Sequence, residues 1–265
     1  MTIRAIIFDL GHTLWDIESH PEALDAAYVD MRATLAGRLG RDDLPEAAAF
    51  QAAVRNVLFA ASETYFTNSA EVEQPPSTMW VDRGCRALGI ALDESLLGEI
   101  TPPLFATEID SLVCADGTAD ELASLSKQGY RLGCITNTLA NTAAIRAMLR
   151  KHGVERFMES VVVSADEGWR KPHRSLFEKA ARELRADRRE CVFVGDSPLH
   201  DVGGAKAAGM SAVLTRQYVT RPYGAVDPQP DAVIYHLREL SAAITTIGRS
   251  CGRARCHVGP PYSNK

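Results

Sequence analysis

Six short apolar runs, separated mostly by turns and helical patterns, constrain the fold of this 265-residue chain more than any other feature. The runs are IRAIIFD (3–9), RLGCIT (131–136), SVVVS (160–164), CVFVGD (191–196), SAVLT (211–215) and DAVIY (231–235). Because each run is apolar at successive positions and rich in β-branched residues, it is typical of a strand buried on both faces. Helices between such strands cover both faces of a parallel sheet, so the sequence predicts an α/β fold with a doubly wound parallel sheet.

Residues 17–110 have a different character, since they contain no convincing strand pattern. From Leu24 to Leu39, apolar residues recur at steps of three and four, which is the spacing of an amphipathic helix. Further helical patterns lie on both sides of the interruption EQPPST (73–78). The sequence therefore predicts an all-helical domain that is inserted directly after the first strand.

This insertion divides the other residues between a core and a tail. The predicted core comprises residues 1–16 and 111–248, with linkers to the helical domain near Asp16 and in CADGT (114–118). Residues 249–265 contain much Gly, Pro and Arg, which is typical of a mobile chain end. We therefore expect a core built from two chain segments, a helical domain and a flexible tail.

The composition favours a globular protein without nucleic-acid or membrane partners. The formal net charge is −5 and no basic stripe runs along the chain, whereas nucleic-acid-binding proteins cluster Lys and Arg on one surface. No window approaches the roughly 18 uninterrupted apolar residues of a membrane span, and the N-terminus lacks the long apolar stretch of a signal peptide. We expect a cytoplasmic protein whose six cysteines, which are scattered singly, remain reduced.

Polar residues end or follow the first four apolar runs, at the points where the predicted strands end. Asp9 is the last residue of the first run, Thr136 is the last of the second and Asn137 follows it. Lys171 follows the third run, and Asp196 is the last residue of the fourth, with Asp201 shortly after it. Because the carboxyl ends of parallel strands share one edge of a sheet, these side chains are expected to meet in one crevice.

Carboxylates that converge in this way raise each other's pKa unless a cation lies among them. A hard divalent ion is the natural partner, and Mg²⁺ binds one or two carboxylates together with waters and a substrate phosphate. We therefore expect Mg²⁺ to bind Asp9 and Asp196. Lys171 offers a positive charge to a phosphoryl oxygen, and Thr136 with the N–H groups after it forms an anion site. A carboxylate in line with a phosphoryl group can attack it and form an aspartyl-phosphate.

The ordered motifs FDLGHTL, ITN, RKP and GDSPLHD together resemble the four motifs of the haloacid dehalogenase-like hydrolase superfamily, from residue 3 to about residue 247. The resemblance implies a Rossmann-like core, in which Asp9 is the nucleophile and Lys171 stabilises charge. It also implies a helical cap that closes over the site and selects the substrate. The expected phosphate-binding residues are Thr136, Asn137 and Lys171, and the expected Mg²⁺ ligands are Asp9, the backbone carbonyl of Gly11, Asp196 and, directly or through water, Asp201.

One position departs from the pattern that the resemblance implies. Phosphatases of this superfamily normally carry a second aspartate two residues after the nucleophile, where this chain has Gly11. That aspartate gives a proton to the leaving group and later takes one from water, a role that contributes roughly 10² to 10⁴ in rate. The substitution removes the usual acid/base, but it retains the backbone carbonyl that touches the metal in the family.

Three functions fit this sequence. In the first, which the sequence favours, the protein is a phosphatase of a small phosphorylated metabolite, and His12 is the acid/base because imidazole titrates near neutral pH. In the second it is a dehalogenase-type hydrolase, since halide leaves without a proton, although such enzymes need no metal and this chain retains Asp196 and Asp201. In the third it binds a phosphorylated ligand or partner and turns over poorly. Neither the substrate nor the oligomeric state follows from the sequence.

Overall fold

The computed structural model describes residues 2–17, 21–67, 72–107, 112–219 and 228–253. The β-strands are β1 (Ala5–Phe8), β2 (Trp15–Ile17), β3 (Leu112–Cys114), β4 (Arg131–Thr136), β5 (Met158–Val163), β6 (Cys191–Gly195), β7 (Ser211–Thr215) and β8 (Ala232–Ile234). The α-helices are α1 (Pro21–Leu39), α2 (Ala47–Thr67), α3 (Ser77–Ala87), α4 (Glu94–Ala106), α5 (Thr118–Lys127), α6 (Thr142–Lys151), α7 (Ser164–Glu167), α8 (Arg174–Glu183), α9 (Gly204–Ala208) and α10 (Leu240–Arg253). A π-helical turn covers Pro198–Gly203, and 3-10 turns cover Glu155–Phe157, Arg188–Glu190 and Leu237–Glu239.

Six of the strands form one parallel sheet in the order β5-β4-β1-β6-β7-β8. Each of these strands overlaps one of the six apolar runs. The chain builds the sheet from β1 in one direction through β4 and β5, and then adds β6, β7 and β8 on the other side. The predicted doubly wound parallel sheet is confirmed, and its winding reverses at β1, which is where open α/β sheets bind ligands.

The sheet is buried because helices cover both of its faces. Alternate residues of a strand point to opposite faces, so Phe8 and Val194 lie in one apolar cluster while Ile7 and Phe193 lie in another. The first cluster includes residues of α5, α6 and α10, and the second includes residues of α8 and α9. Phe193 packs edge-to-face on Phe177 of α8, with the ring centroids 5.1 Å apart. Burial of each large apolar side chain in these two clusters stabilises the fold by about 2 kcal/mol. This packing holds the ends of the strands in fixed positions.

Helices α1 to α4 and the loops that join them, together called the helical insert, lie between β2 and β3 in the chain. Tyr28, Met31 and Leu35 of α1 are buried, as their spacing predicts, whereas Leu39 at the end of the helix is 37% exposed. Tyr28, Met31 and Leu35 belong to the same apolar cluster as Phe50 of α2. The regular elements described between β2 and β3 are thus helices, as expected, and the division into a core and a cap domain spanning residues 17–110 stays a prediction.

A two-stranded antiparallel ribbon, which the sequence did not indicate, joins the insert to the core. β2 pairs with β3 so that Trp15 lies opposite Cys114. Trp15 is buried, and its ring stacks on His152 at a centroid distance of 6.1 Å. The chain therefore enters and leaves the insert on one short paired element, next to the two places where linkers were expected.

Helix α10 overlaps the start of the predicted tail, and the flexibility of residues 249–265 stays a prediction. α10 continues through Arg253, so the predicted flexible tail (249–265) begins inside a helix. Helix α10 is stabilised because it buries Ile244 and Ile247 against the core. Residues 254–265 lie outside the described ranges.

Cysteine burial and the apolar character of the helices are two further properties of the described residues. The cysteines with described side chains, Cys85, Cys114, Cys134 and Cys191, are free thiols. Cys134 and Cys191 lie fully buried in the sheet, where burial raises the pKa of each thiol to about 12. In the described ranges no helix has both the length and the apolar character that crossing a membrane requires.

Candidate active site

Asp9 is the first residue after β1, and its backbone extends the pairing of β1 with β6. The Asp9 N–H donates to the carbonyl of Val194 at 2.8 Å, so the residue lies at the carboxyl end of the sheet. The chain then turns sharply, because the N–H groups of Thr13 and Leu14 both donate to the carbonyl of Leu10, at 3.2 and 3.0 Å. This turn brings the Thr13 hydroxyl to 3.4 Å from Asp9 Oδ2. The Asp9 side chain is consequently buried at the point where the winding of the sheet reverses.

Lys171 joins two buried carboxylates. Its Nζ lies 2.5 Å from Asp9 Oδ1 and 2.7 Å from Asp201 Oδ1, and none of the three side chains is more than 10% exposed. Asp201 Oδ2 also accepts the backbone N–H of Ser197 at 2.9 Å. The loops that follow β1, β5 and β6 therefore meet at one ammonium group, as the order of the motifs predicts.

Gly195 allows Asp201 to approach the end of β6. A Cβ at Gly195 would lie 2.3 Å from Asp201 Oδ2 and 2.6 Å from Asp201 Cβ, which is closer than side chains ever approach. The Gly-Asp pair in GDSPLHD thus serves two purposes, because Gly195 leaves space for one carboxylate while Asp196 provides another.

Asp196 completes a cluster of three carboxylates, in which one oxygen each of Asp9, Asp196 and Asp201 lies within 4.8 Å of the others. Burial, together with repulsion from Asp201 and Asp9, raises the pKa of Asp196 to about 8. Burial also raises the pKa of Asp9 to about 6, although the ammonium of Lys171 opposes this shift. For Lys171, burial alone would lower the pKa, but the two carboxylates outweigh it and raise the pKa.

These shifts reflect an excess of negative charge at the strand ends. With all three carboxylates ionised, the ammonium of Lys171 compensates only one of them, so a divalent cation would neutralise the remainder. Both oxygens of Asp201 already accept hydrogen bonds, from Lys171 and Ser197. Asp9 Oδ2 accepts a longer bond, of 3.4 Å from the Thr13 hydroxyl, so it is more available to a cation, and Asp196 offers a further carboxylate oxygen. Hard oxygen donors of this kind are the type that Mg²⁺ prefers. The residues present therefore fit a Mg²⁺ site.

Thr136 and Asn137 lie at the end of β4, beside β1. Thr136 is buried, whereas Asn137 is half-buried and holds the backbone of Lys171. Asn137 Oδ1 accepts the Lys171 N–H at 2.8 Å, and Asn137 Nδ2 donates to the Lys171 carbonyl at 3.2 Å. Sequence reasoning missed this bridge, since it joins residues 34 positions apart. Phosphate binding by Thr136 and Asn137 stays a prediction.

Gly11 and His12 occupy the turn between Asp9 and Thr13. His12 has a φ of +55°, in the left-handed region that favours glycine, whereas the φ of Gly11 is not positive. The His12 Nδ1 lies 2.9 Å from Asp16 Oδ1 of β2, and the two side chains are 44% and 47% exposed. The ribbon that leads into the insert therefore holds His12 on the accessible side of the turn.

The match to known sequences covers all four motifs that meet at this site. The family model for haloacid dehalogenase-like hydrolases matches residues 3–209, which is most of the 265-residue chain. The chain belongs to the haloacid dehalogenase-like hydrolase family. The family resemblance of the four ordered motifs is thereby confirmed.

Several phosphatases are similar to this haloacid dehalogenase-like hydrolase. A glyceraldehyde 3-phosphate phosphatase from Methanothermobacter thermautotrophicus is 36% identical over 103 residues, which cover 39% of this chain and 45% of that one. A phosphoglycolate phosphatase from Cupriavidus necator is 33% identical over 129 residues, covering 49% and 54%. The chain thus spans about half the length of these two curated relatives. A phosphoglycolate phosphatase from Nitrosococcus oceani is 30% identical over 174 residues, covering 61% and 76%.

Solved structures of other members share the fold. The 2-haloacid dehalogenase from Pseudomonas syringae pv. Tomato has a TM-score of 0.64 and 23% identity, and the match covers 93% of this chain and 100% of that one. A phosphatase of the same family from Thermococcus onnurineus has a TM-score of 0.53 and 23% identity, with 91% and 97% covered. At this level of identity the likeness shows the fold alone.

Two polar residues that the sequence did not mark lie buried beside the motifs of this haloacid dehalogenase-like hydrolase. Gln74 comes from the helical insert, and Ser164 begins α7 directly after β5. Ser164 Oγ lies 3.2 Å from Gln74 Oε1, so the insert reaches into the core at this point. The only local signal was the break EQPPST, which indicates an interruption between helices but not a contact.

Proposed function

We propose that this protein is a Mg²⁺-dependent phosphatase of a small phosphorylated metabolite, which acts through an aspartyl-phosphate on Asp9. The observation that carries the proposal is the position of Asp9, buried against Lys171 and within 4.8 Å of the carboxylates of Asp196 and Asp201. A nucleophilic carboxylate, a fixed ammonium and a cation site are the parts that phosphoryl transfer requires. Similarity to enzymes named as phosphatases of glyceraldehyde 3-phosphate and phosphoglycolate supports a small phosphate ester as substrate.

The metal would be held by Asp9, Asp196 and the backbone carbonyl of Gly11. Asp201 has both oxygens engaged, by Lys171 and by the N–H of Ser197, which suits contact through water or orientation of the other ligands. When bound, Mg²⁺ would withdraw negative charge from the phosphoryl oxygens. Because the cation would also reduce the repulsion between the carboxylates, Asp9 would stay ionised and therefore nucleophilic.

In the first step a carboxylate oxygen of Asp9 attacks the phosphorus. The new O–P bond forms while the bond from phosphorus to the leaving oxygen breaks, and that oxygen takes up a proton. Lys171, whose Nζ contacts Asp9 Oδ1, stabilises the charge on the transferring group. Thr136, at the end of the neighbouring strand β4, and the N–H of Asn137 after it bind the remaining phosphoryl oxygens.

In the second step a water molecule attacks the phosphorus of the aspartyl-phosphate, the bond to Asp9 breaks, and inorganic phosphate leaves. A proton must be given to the leaving group first and taken from this water later. His12 takes this role in our proposal, because it lies three residues after Asp9 and Asp16 Oδ1 holds its Nδ1 at 2.9 Å. This pair would substitute for the carboxylate that Gly11 lacks.

Phosphate and halide release should be measured over a substrate panel with Mg²⁺ or EDTA. The panel contains p-nitrophenyl phosphate, phosphoglycolate, glyceraldehyde 3-phosphate and 2-chloropropionate. We expect phosphate release that needs Mg²⁺ and falls at least about 10³-fold in Asp9→Asn, since the nucleophile is lost. The control Asp43→Asn, which removes an exposed carboxylate paired with Arg41, should behave as wild type.

The other outcomes of this experiment each point to a different function. Equal phosphate release by wild type and Asp9→Asn would contradict the aspartyl-phosphate. Metal-independent release of halide would identify a dehalogenase-type hydrolase. Binding of inorganic phosphate without release from any ester would identify a phosphate-ligand binding protein, the function that the missing carboxylate at Gly11 favours second.

A further inference from the structure

Residues 72–77, called the docking segment, lead into α3, include its first residue, Ser77, and contact the core. In this segment Glu73 forms an antiparallel bridge with Trp169, which belongs to residues 168–171, called the lysine loop because it ends in Lys171. The hydrogen bonds that join the two are Gln74 N to Gly168 O (2.9 Å) and Arg170 N to Val72 O (2.8 Å). The insert is therefore attached directly to the backbone that presents the active-site lysine.

The side chain of Gln74 reaches a second core loop through Ser164. Gln74 is 6% exposed, and Ser164 is fully buried. The Ser164 hydroxyl can donate to Gln74 Oε1 at 3.2 Å or to the Thr138 carbonyl at 3.1 Å, and it accepts the Thr138 N–H at 3.0 Å. Thr138 belongs to residues 137–140, called the β4 loop, which directly follows Thr136. Because a buried amide without a partner is costly, these bonds tie the insert to the β4 loop.

The β4 loop and the lysine loop are also joined to each other. Asn137 binds the N–H and the carbonyl of Lys171 with the two ends of its amide. At the end of the docking segment, Ser77 Oγ donates to the carbonyl of Leu139 in the β4 loop at 2.5 Å. The docking segment therefore contacts both loops of a single connected unit, so a change in its position is transmitted to both.

We propose that Gln74 is a positioning residue that couples docking of the helical insert to the placement of the β4 loop and Lys171 around the phosphoryl group. Only the kinetic part of this inference rests on the proposed phosphatase function. Without the contact between Gln74 and Ser164, the groups that bind phosphate are still present, but their alignment with Asp9 is less well defined. A misplacement on the order of 1 Å lowers the rate of the chemical step much more than it lowers affinity.

A kinetic comparison tests the coupling. Gln74→Met keeps the length of the side chain and removes its hydrogen-bonding groups, and Gln51→Met is the matched control, since Gln51 Nε2 binds Asp25 Oδ1 within the insert at 2.7 Å. For p-nitrophenyl phosphate with Mg²⁺, we expect kcat to fall about tenfold in Gln74→Met with KM within about twofold of wild type. The control should match wild type in both constants.

The partner residue supplies a second variant. Ser164→Ala should lower kcat at least as much as Gln74→Met, because it also removes the bond from the Thr138 N–H. The double variant should fall no further than Ser164→Ala alone, because the link that Gln74 makes is already absent there. Losses that multiply in the double variant, or a rise in KM with an unchanged kcat, would overturn the proposal.

A measurement that needs no activity separates this inference from the proposed function. Amide hydrogen exchange in residues 137–140 and 168–171 should become at least about fivefold faster in Gln74→Met and stay unchanged in Gln51→Met, since the docking bonds protect these amides. A wild-type protein that releases no phosphate would refute the phosphatase, yet the exchange result would still decide the coupling. Exchange in both loops that is equal in wild type and Gln74→Met would overturn the coupling whatever the activity.

Discussion

His12 holds a backbone conformation that costs free energy for any residue with a Cβ. Its φ of +55° lies in the left-handed region, which costs about 1 kcal/mol for a residue other than glycine. Among the described residues, Arg185 is the other non-glycine residue with a positive φ, at +47° just after α8. Strain next to a nucleophile is a reason to test for function, because a glycine would be more stable there.

For His12→Gly we expect kcat for phosphate release to fall by about 10²-fold, because the proposed acid/base is lost. The Tm should stay within about 2 °C of wild type, since relief of strain offsets the lost contact with Asp16 and the greater freedom of the unfolded chain. Steady-state kinetics and thermal denaturation measure the two effects. Arg185→Gly is the control, in which the same backbone change should leave kcat unaltered.

A rescue variant sharpens this prediction. The φ of Gly11 is not positive, so its backbone accepts a Cβ without left-handed strain. Adding Gly11→Asp to His12→Gly restores a carboxylate two residues after Asp9 and should recover at least about tenfold in kcat. Wild-type kcat in His12→Gly alone would refute the role of His12, and Gly11→Asp would then be expected to add little.

At the scale of elements, sequence patterns predicted those structures that carry their own periodicity. The six parallel strands and α1 were found because a buried strand or an amphipathic helix repeats its apolar residues locally. β2 and β3 were missed, since each has three residues and exists only through pairing with the other. The docking segment was recognised as a break between helices, but its pairing with residues 168–171 depends on a loop far away in the chain.

The candidate site was predictable where its residues follow strands, but not where loops bind each other. Asp9, Lys171 and Asp201 follow strands that the patterns located, so their meeting at one sheet edge followed from topology. Hydrogen bonds between side chains and backbone of different loops produce no pattern in the sequence. The bond of Asn137 to the Lys171 backbone and that of Ser164 to Gln74 join positions 34 and 90 residues apart, and no pattern in one sequence reveals them.

The junction of β6 with the π-helical turn depends on the absence of a side chain at Gly195. In Gly195→Ala the new Cβ would lie 2.3 Å from Asp201 Oδ2, so Asp201 must leave the N–H of Ser197 and release its contact with Lys171. We expect kcat to fall by at least about 10²-fold, because the ammonium loses one of its two anchors. Kinetics and thermal denaturation should be measured together.

Gly203→Ala is the matched control for this junction. It adds the same methyl group at the end of the same π-helical turn, where the nearest atom would be 3.6 Å away, which is an ordinary contact. This variant should retain wild-type kcat and Tm. If Gly195→Ala retained wild-type kcat as well, the contact between Asp201 and Lys171 would have no importance for the reaction.

At the scale of the whole molecule, ionisation of Asp9 and Asp196 opposes folding unless a cation compensates their charge. Burial and neighbouring carboxylates raise the pKa of Asp196 from 3.8 to about 8, and burial raises that of Asp9 to about 6. In the folded protein these groups keep protons that the unfolded chain has already released. Without metal, their contribution therefore lowers the free energy of unfolding as the pH rises from about 4 to about 8.

We expect Mg²⁺ to raise the Tm more at about pH 8 than at about pH 6, because protons compete with the metal for these carboxylates. Thermal denaturation with Mg²⁺ or EDTA at both pH values measures this difference. Asp196→Asn should raise the Tm of the EDTA-treated protein at about pH 8, since it removes one charge from the cluster, and should abolish most of the Mg²⁺ response. Asp43→Asn, on the exposed surface, should keep the wild-type response. A Mg²⁺ shift that is equal at both pH values, or that persists in Asp196→Asn, would place the metal elsewhere.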